Sequence, residues 1–214
     1  MEIVPAIIAK NFQELEGKIK LIEPYVSRAQ LDISDGKFTK EETWSNPEEL
    51  KKLNTNLSLE AHLMISEPEK VIDGWISSGV KRILIHFEST EKIEEIYKKI
   101  KAAGLEMGLV LALQTPISVL GNLPIPAKDL AIVQLMGISE IGFYGHPFDE
   151  RVISKIFSLR AQYPDIEIAV DGGINKETAS KAIGASADIL ISGSAIFGAG
   201  DVGQAIEELK RSVI

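Results

Sequence analysis

Ile166-Glu167-Ile168-Ala169-Val170-Asp171-Gly172-Gly173-Ile174 reads as a short strand that ends on a carboxylate and turns at once through two glycines. The run Ile166–Val170 is mostly apolar, as expected of a strand buried on both faces in a parallel sheet. Leu31-Asp32-Ile33-Ser34-Asp35-Gly36 has the same form. Working outward, the strand candidates are Ile3–Ile8, Ser27–Ile33, Leu57–Met64, Arg82–His86, Glu106–Ala112, Leu130–Met136, Ile166–Val170 and Asp188–Ser192, eight in all. Helical patterns lie between them. Asn11 is placed to cap a helix with Glu14 at the capping-box position, and Leu15, Ile19 and Ile22 then recur at helical spacing. Pro47 and Pro68 suit first helical turns. Thr90 can cap a helix carrying Ile93, Ile96 and Ile100, with Gly104 at its end. The fifth unit is the weakest. Pro116, Pro124 and Pro126 leave room only for a short helix around Ile117–Leu120.

Eight strand–helix units in 214 residues, with no Pro/Gly/Ser-rich linker, predict one (β/α)8 barrel domain spanning residues 1–214. The rival is an open doubly wound sheet, which usually needs fewer strands. In a barrel, Asp32 ends strand two and Asp171 ends strand seven, three steps apart through strands one and eight. At roughly 45° per strand they stand ~135° apart around the mouth, the face that carries active sites in such barrels. Two facing carboxylates suit a reaction that takes a proton from one side of a carbon and returns it to the other.

Composition removes several classes of function. There is no cysteine, which excludes disulfides, thiolate metal sites and a cysteine nucleophile, and fits a reducing cytoplasm. The net charge is -8 with acids and bases interspersed, so no nucleic-acid partner is expected. No apolar run approaches the ~20 residues that span a bilayer, and no membrane partner is expected. Met1–Lys10 lacks a basic leader and reads as a first strand. The sequence leaves a homo-oligomer open.

His62 falls at the end of strand three. Alone it reads as a packing residue, but Asp32 on the adjacent strand adds weight to a metal-ligand role, and imidazole with carboxylate suits zinc, manganese or iron. His86, at the end of strand four, has no evident partner and reads as structural or as part of the rim. His146 lies in a loop and spacing does not assign it. Gly172-Gly173 and Ser192-Gly193-Ser194 follow strands seven and eight. Exposed backbone N–H groups before a helix favour a phosphate there, against the plainer reading of turn glycines. The stretch Gly142-Phe143-Tyr144-Gly145-His146-Pro147-Phe148 has glycine hinges and is read as a loop that closes over a ligand or as a connection. Met64 and Met136, near strand ends, are core residues by default and would also form an apolar wall beside a reacting carbon.

Together these motifs resemble the ribulose-phosphate 3-epimerase family over nearly the whole chain. Pro5-Ala6-Ile7-Ile8-Ala9 is similar to its Pro-Ser-Ile-Leu-Ser, Asp32-Ile33-Ser34-Asp35-Gly36-Lys37-Phe38 to its Asp-Val-Met-Asp-Gly-His-Phe, and His62-Leu63-Met64-Ile65 to its His-Leu-Met segment. Gly142-Phe143-Tyr144-Gly145 resembles its Gly-Phe-Gly-Gly loop, while Val170–Asn175 and Gly193–Gly198 match almost letter for letter. The resemblance implies a (β/α)8 barrel that interconverts ribulose 5-phosphate and xylulose 5-phosphate, with Asp32 and Asp171 as the two proton-transfer groups. It implies substrate and phosphate contacts from Met64, Gly142, Gly145, Gly172, Gly173, Gly193 and Ser194. It also implies a divalent metal, among zinc, manganese, iron and magnesium, held by Asp32, His62, Asp171 and a second histidine. That histidine is Gln30 here, a weaker transition-metal ligand. A substrate-contacting serine is Ala6, the methionine after the first aspartate is Ser34, and His146 stands where the family has glutamine. The segment Gly137–Ile141 is one residue longer. The alternatives are an epimerase or isomerase of another phosphorylated ketose, and a sugar-phosphate-binding homologue without catalysis.

Overall fold

The eight apolar runs become eight strands: β1 Glu2–Ile7, β2 Arg28–Ser34, β3 Ser58–Met64, β4 Arg82–His86, β5 Glu106–Leu111, β6 Ile132–Met136, β7 Ile168–Asp171 and β8 Ile189–Ser192. In the computed structural model, described for residues 1–142 and 144–212, they pair in parallel in chain order and close, β8 against β1. The open-sheet alternative is thereby excluded. β6 and β7 begin two residues later than the apolar runs suggest, because the Leu130 and Ile166 amides are used in turns, bonding Ala127 O and Tyr163 O at 3.2 and 3.3 Å.

Around the barrel lie α1 Phe12–Ile22, α2 Pro47–Leu50, α3 Ile72–Ile76, α4 Ile93–Ala102, α5 Arg151–Gln162, α6 Lys176–Gly184, α7 Ser194–Phe197 and α8 Val202–Arg211. The proline-rich fifth connection holds only 3₁₀ turns, Ile117–Asn122 and Ala127–Asp129. Asn11 caps α1 by accepting from the Glu14 amide at 2.9 Å, but the Glu14 carboxylate reaches back to the Lys10 amide, one residue beyond the capping-box position. Thr90 accepts from the Lys92 amide at 3.0 Å, and Lys92, not Thr90, is the residue before α4. Gly104 ends α4 at φ 73°.

Successive strand residues face opposite ways. Leu31, Ile33, Leu63, Ile83 and Ile85 belong to the outer core with Ile19, Trp75, Ile96 and Ile100 of the helices. Val4, Leu84, Val110, Ile132, Ala169 and Ile189 fill the inside of the barrel. The interior is packed solid at Gly108, where a Cβ would lie 2.3 Å from Leu84 Cδ2 and 2.6 Å from Ile132 Cγ2. Above that apolar plug, Gln30, Asp32, His62, His86, Gln134 and Asp171 lie toward the C-terminal end, while Glu60 and Arg82 pair below it at 3.4 Å. Among the described residues no helix is long and apolar enough to cross a membrane.

Candidate active site

Asp32 on β2 and Asp171 on β7 are separated by β1 and β8, yet their carboxylates meet. With His62 on β3 they bring one ligand-type atom each to within 4.8 Å of one another, all three residues being buried. The small Ala6, paired with Gln30 across β1 and β2, leaves space for this approach. Gln30 links the group: its Nε2 donates to Asp32 Oδ1 at 2.9 Å and to Asp171 Oδ2 at 2.8 Å, and lies 3.2 Å from His62 Nδ1. His62 Nδ1 is 3.1 Å from Asp32 Oδ1 and 3.4 Å from Asp171 Oδ2. Each aspartate thus has one oxygen tied into the cluster. Among the described residues no hydrogen bond reaches the other, Asp32 Oδ2 or Asp171 Oδ1.

Burial and the neighbouring Asp171 charge push the Asp32 carboxyl up, against the opposing hydrogen bond from His62. Burial works against a charged His62, but its bonds to Asp171 and Asp32 outweigh that and lift its pKa to about 9. His86 is pushed the other way, to about 4, by burial and by the His62 charge. His62 Nε2 lies 2.9 Å from His86 Nε2, so one of the two imidazoles donates to the other. The two rings stack with centroids 5.0 Å apart. His86 Nδ1 in turn faces Glu88 Oε2 at 3.3 Å. The expectation that His86 lacks a partner is corrected: β4 runs beside β3, and the two strand-end imidazoles meet across the ladder.

Sequence reading also missed Gln134 on β6. It is fully buried, and its Nε2 donates to Asp171 Oδ2 at 2.9 Å. The available signal was one carboxamide in the otherwise apolar strand Ile132-Val133-Gln134-Leu135-Met136.

The pocket above the cluster is lined by Met64, Met136, Gly172, Gly173, Gly193 and Ser194, with Gly142, Tyr144, Gly145 and His146 from the loop after β6. Phe143 of the loop motif lies outside the described residues. Gly172 and Gly173 take φ of 105° and 71°, which turns the chain sharply after Asp171. Tyr144 fastens the loop to β1. Its hydroxyl donates to Ala6 O at 2.6 Å and accepts from the Ile8 amide at 3.0 Å, while its ring covers Gly193. The cavity left beneath is about 40 Å³, enough for a few waters and too small for a pentose phosphate.

The donor set fits a divalent metal. Gln30 Nε2, Asp32 Oδ1, His62 Nδ1 and Asp171 Oδ2 are spaced 2.8–3.4 Å along five of the six edges that join them, and a tetrahedral shell with ~2.0–2.1 Å bonds has edges of roughly 3.3–3.4 Å. An amide nitrogen cannot ligate, but a half-turn of the Gln30 amide brings Oε1 into that vertex. Gln30 Oε1 is buried and, among the described residues, has no hydrogen-bond partner as it stands.

A model of the ribulose-phosphate 3 epimerase family matches residues 2–197. Ribulose-phosphate 3-epimerase of Bacillus subtilis is 32% identical over 99% of this chain and 99% of its own length. The cytoplasmic isoform of ribulose-phosphate 3-epimerase from rice, Oryza sativa subsp. japonica, is 30% identical over 99% of this chain and 94% of its own. In fold the chain is similar to 3-hexulose-6-phosphate synthase from Salmonella typhimurium, with a TM-score of 0.74 at 14% identity, covering 100% of this chain and 98% of that one.

Proposed function

The chain belongs to the ribulose-phosphate 3-epimerase family, and on that premise we propose that it interconverts D-ribulose 5-phosphate and D-xylulose 5-phosphate by moving a proton at C3 between two carboxylates. The observation that carries this reading is the meeting of Asp32 and Asp171 at the floor of one pocket, each with one oxygen anchored and one open. The open oxygens are the proton carriers: one aspartate takes the C3 proton, next to the C2 carbonyl, and the other returns a proton to the opposite face. Without a metal, charge that develops on the substrate oxygens would fall to Gln30, His62 and bound water, once the two side chains turn from the carboxylates they now hold.

The phosphate is assigned to the backbone of Gly172, Gly173, Gly193 and Ser194, with Gly142 and Gly145 allowing the loop to lie over it. Met64 and Met136 form the apolar wall. Since the cavity is too small for the substrate, Tyr144 has to release β1 before the sugar enters. A divalent metal, when bound, would be held by Asp32, His62, Asp171 and Gln30 Oε1 and would polarise the C2 carbonyl. The cysteine-free sequence and the name of the rice relative favour a cytoplasmic location.

Asp32→Asn and Asp171→Asn should each lower conversion by about 10³-fold or more, since an amide cannot take the proton. Either variant turning over within about tenfold of the native rate would overturn the reading.

A further inference from the structure

Gln134 is the one polar residue of β6 and is fully buried. Among the described residues its Oε1 has no hydrogen-bond partner. A buried, unpaired carbonyl costs about 1–3 kcal/mol, and a leucine of similar volume would carry no such penalty. What the amide supplies is a bond from Nε2 to Asp171 Oδ2 at 2.9 Å, beside a long contact with Met136 Sδ at 4.0 Å. The Gln30 amide, arriving from β2, donates to that same oxygen at 2.8 Å. Two donors from different strands therefore converge on Oδ2, which fixes the carboxylate plane and leaves Oδ1 open. Asp32 is held differently. Its Oδ1 receives Gln30 and faces His62, with no second amide.

We propose that Gln134 is a positioning residue for the reaction: it holds Asp171 so that Oδ1 is the oxygen that exchanges a proton with C3, and the two half-reactions depend on it unequally. This rests on the two-base reading above. Without Gln134, the Asp171 carboxylate can turn about its last bond, and proton transfer on that face slows. Transfer on the Asp32 face continues.

The test follows C3 hydrogen exchange and inversion together in deuterated water, starting from each epimer separately, with native protein and with Gln134→Leu. Gln134→Met serves as a second apolar replacement of the same length should the leucine variant fold poorly. The expected result is a kcat lower by about 10–100-fold with KM changed little. From one epimer, deuterium should enter the unconverted substrate severalfold faster relative to inversion than with native protein, because Asp32 still removes its proton while Asp171 no longer delivers. From the other epimer that ratio should not rise. A general structural defect, or a loss of metal, lowers both directions without this asymmetry. Equal exchange ratios from the two epimers, or a kcat within about twofold of native, would overturn the inference. Native protein that exchanges no C3 hydrogen from either epimer would instead remove the two-base reading, and the inference with it.

Discussion

Gln30 Nε2 and His62 Nδ1 lie 3.2 Å apart on neighbouring strands, and both are aimed at the same two carboxylates. One is a neutral amide and the other an imidazole. As ligands they differ in kind: the amide offers an oxygen, and only after turning, where imidazole offers a nitrogen suited to zinc.

Native protein should accordingly hold zinc weakly or below one ion per chain, with selectivity drifting toward manganese or magnesium. Gln30→His should raise zinc affinity by at least about tenfold, or ~1.4 kcal/mol, and raise activity with it. Metal content by plasma mass spectrometry, on protein purified without a histidine tag, checks this. Tightly bound stoichiometric zinc in the native protein would show that Gln30 is no handicap.

The barrel was legible because each strand is a short apolar run closed by a turn, and counting strands was enough to bring Asp32 and Asp171 to one mouth. Gln134, by contrast, acts on a residue 37 positions away, and its meaning depends on register: β6 pairs Met136 with Asp171, which points Gln134 inward one step below. The His62–His86 bond and the Tyr144 anchor on β1 are likewise contacts between strand ends and loops that no local pattern encodes. Pairing Thr90 with α4 failed for a simpler reason, since its hydroxyl stands two residues ahead of the cap position, accepts from the Lys92 amide and donates to Glu69.

Tyr144 stands where the family loop has glycine, and its two hydrogen bonds hold the loop shut. Tyr144→Phe removes both, each worth about 1 kcal/mol, so the closed form should lose about tenfold or more in population. Backbone amides flanking position 144 should exchange faster in the ligand-free variant, and KM for the sugar phosphate should fall severalfold, because the closed form that excludes the sugar is less populated. Unchanged amide exchange would show that the ring on Gly193 suffices to keep the loop closed.

Glu88 supports the far end of the His62–His86 chain. Burial would raise its carboxyl, but donors from His86, Thr115 and the Ala112 amide prevail and hold the pKa at about 2, below the ordinary 4.5. A depressed carboxyl contributes stability that is present above pH 4.5 and is lost as the pH falls toward 2. Glu88→Gln should be less stable than native protein at pH 6 by about 1–2 kcal/mol, allowing for partial solvent screening. The gap should close across that acid window in denaturant melts. A gap that stays constant down to pH 2 would contradict this.

The most direct test of the two-carboxylate account is the isotope at C3 after a single turnover in deuterated water. If one aspartate takes the proton and the other supplies a different one, each product molecule carries one solvent deuterium at C3. Product that retains the original hydrogen at C3 would mean that a single group moves the proton across the carbon, and the account built on Asp32 and Asp171 would fall.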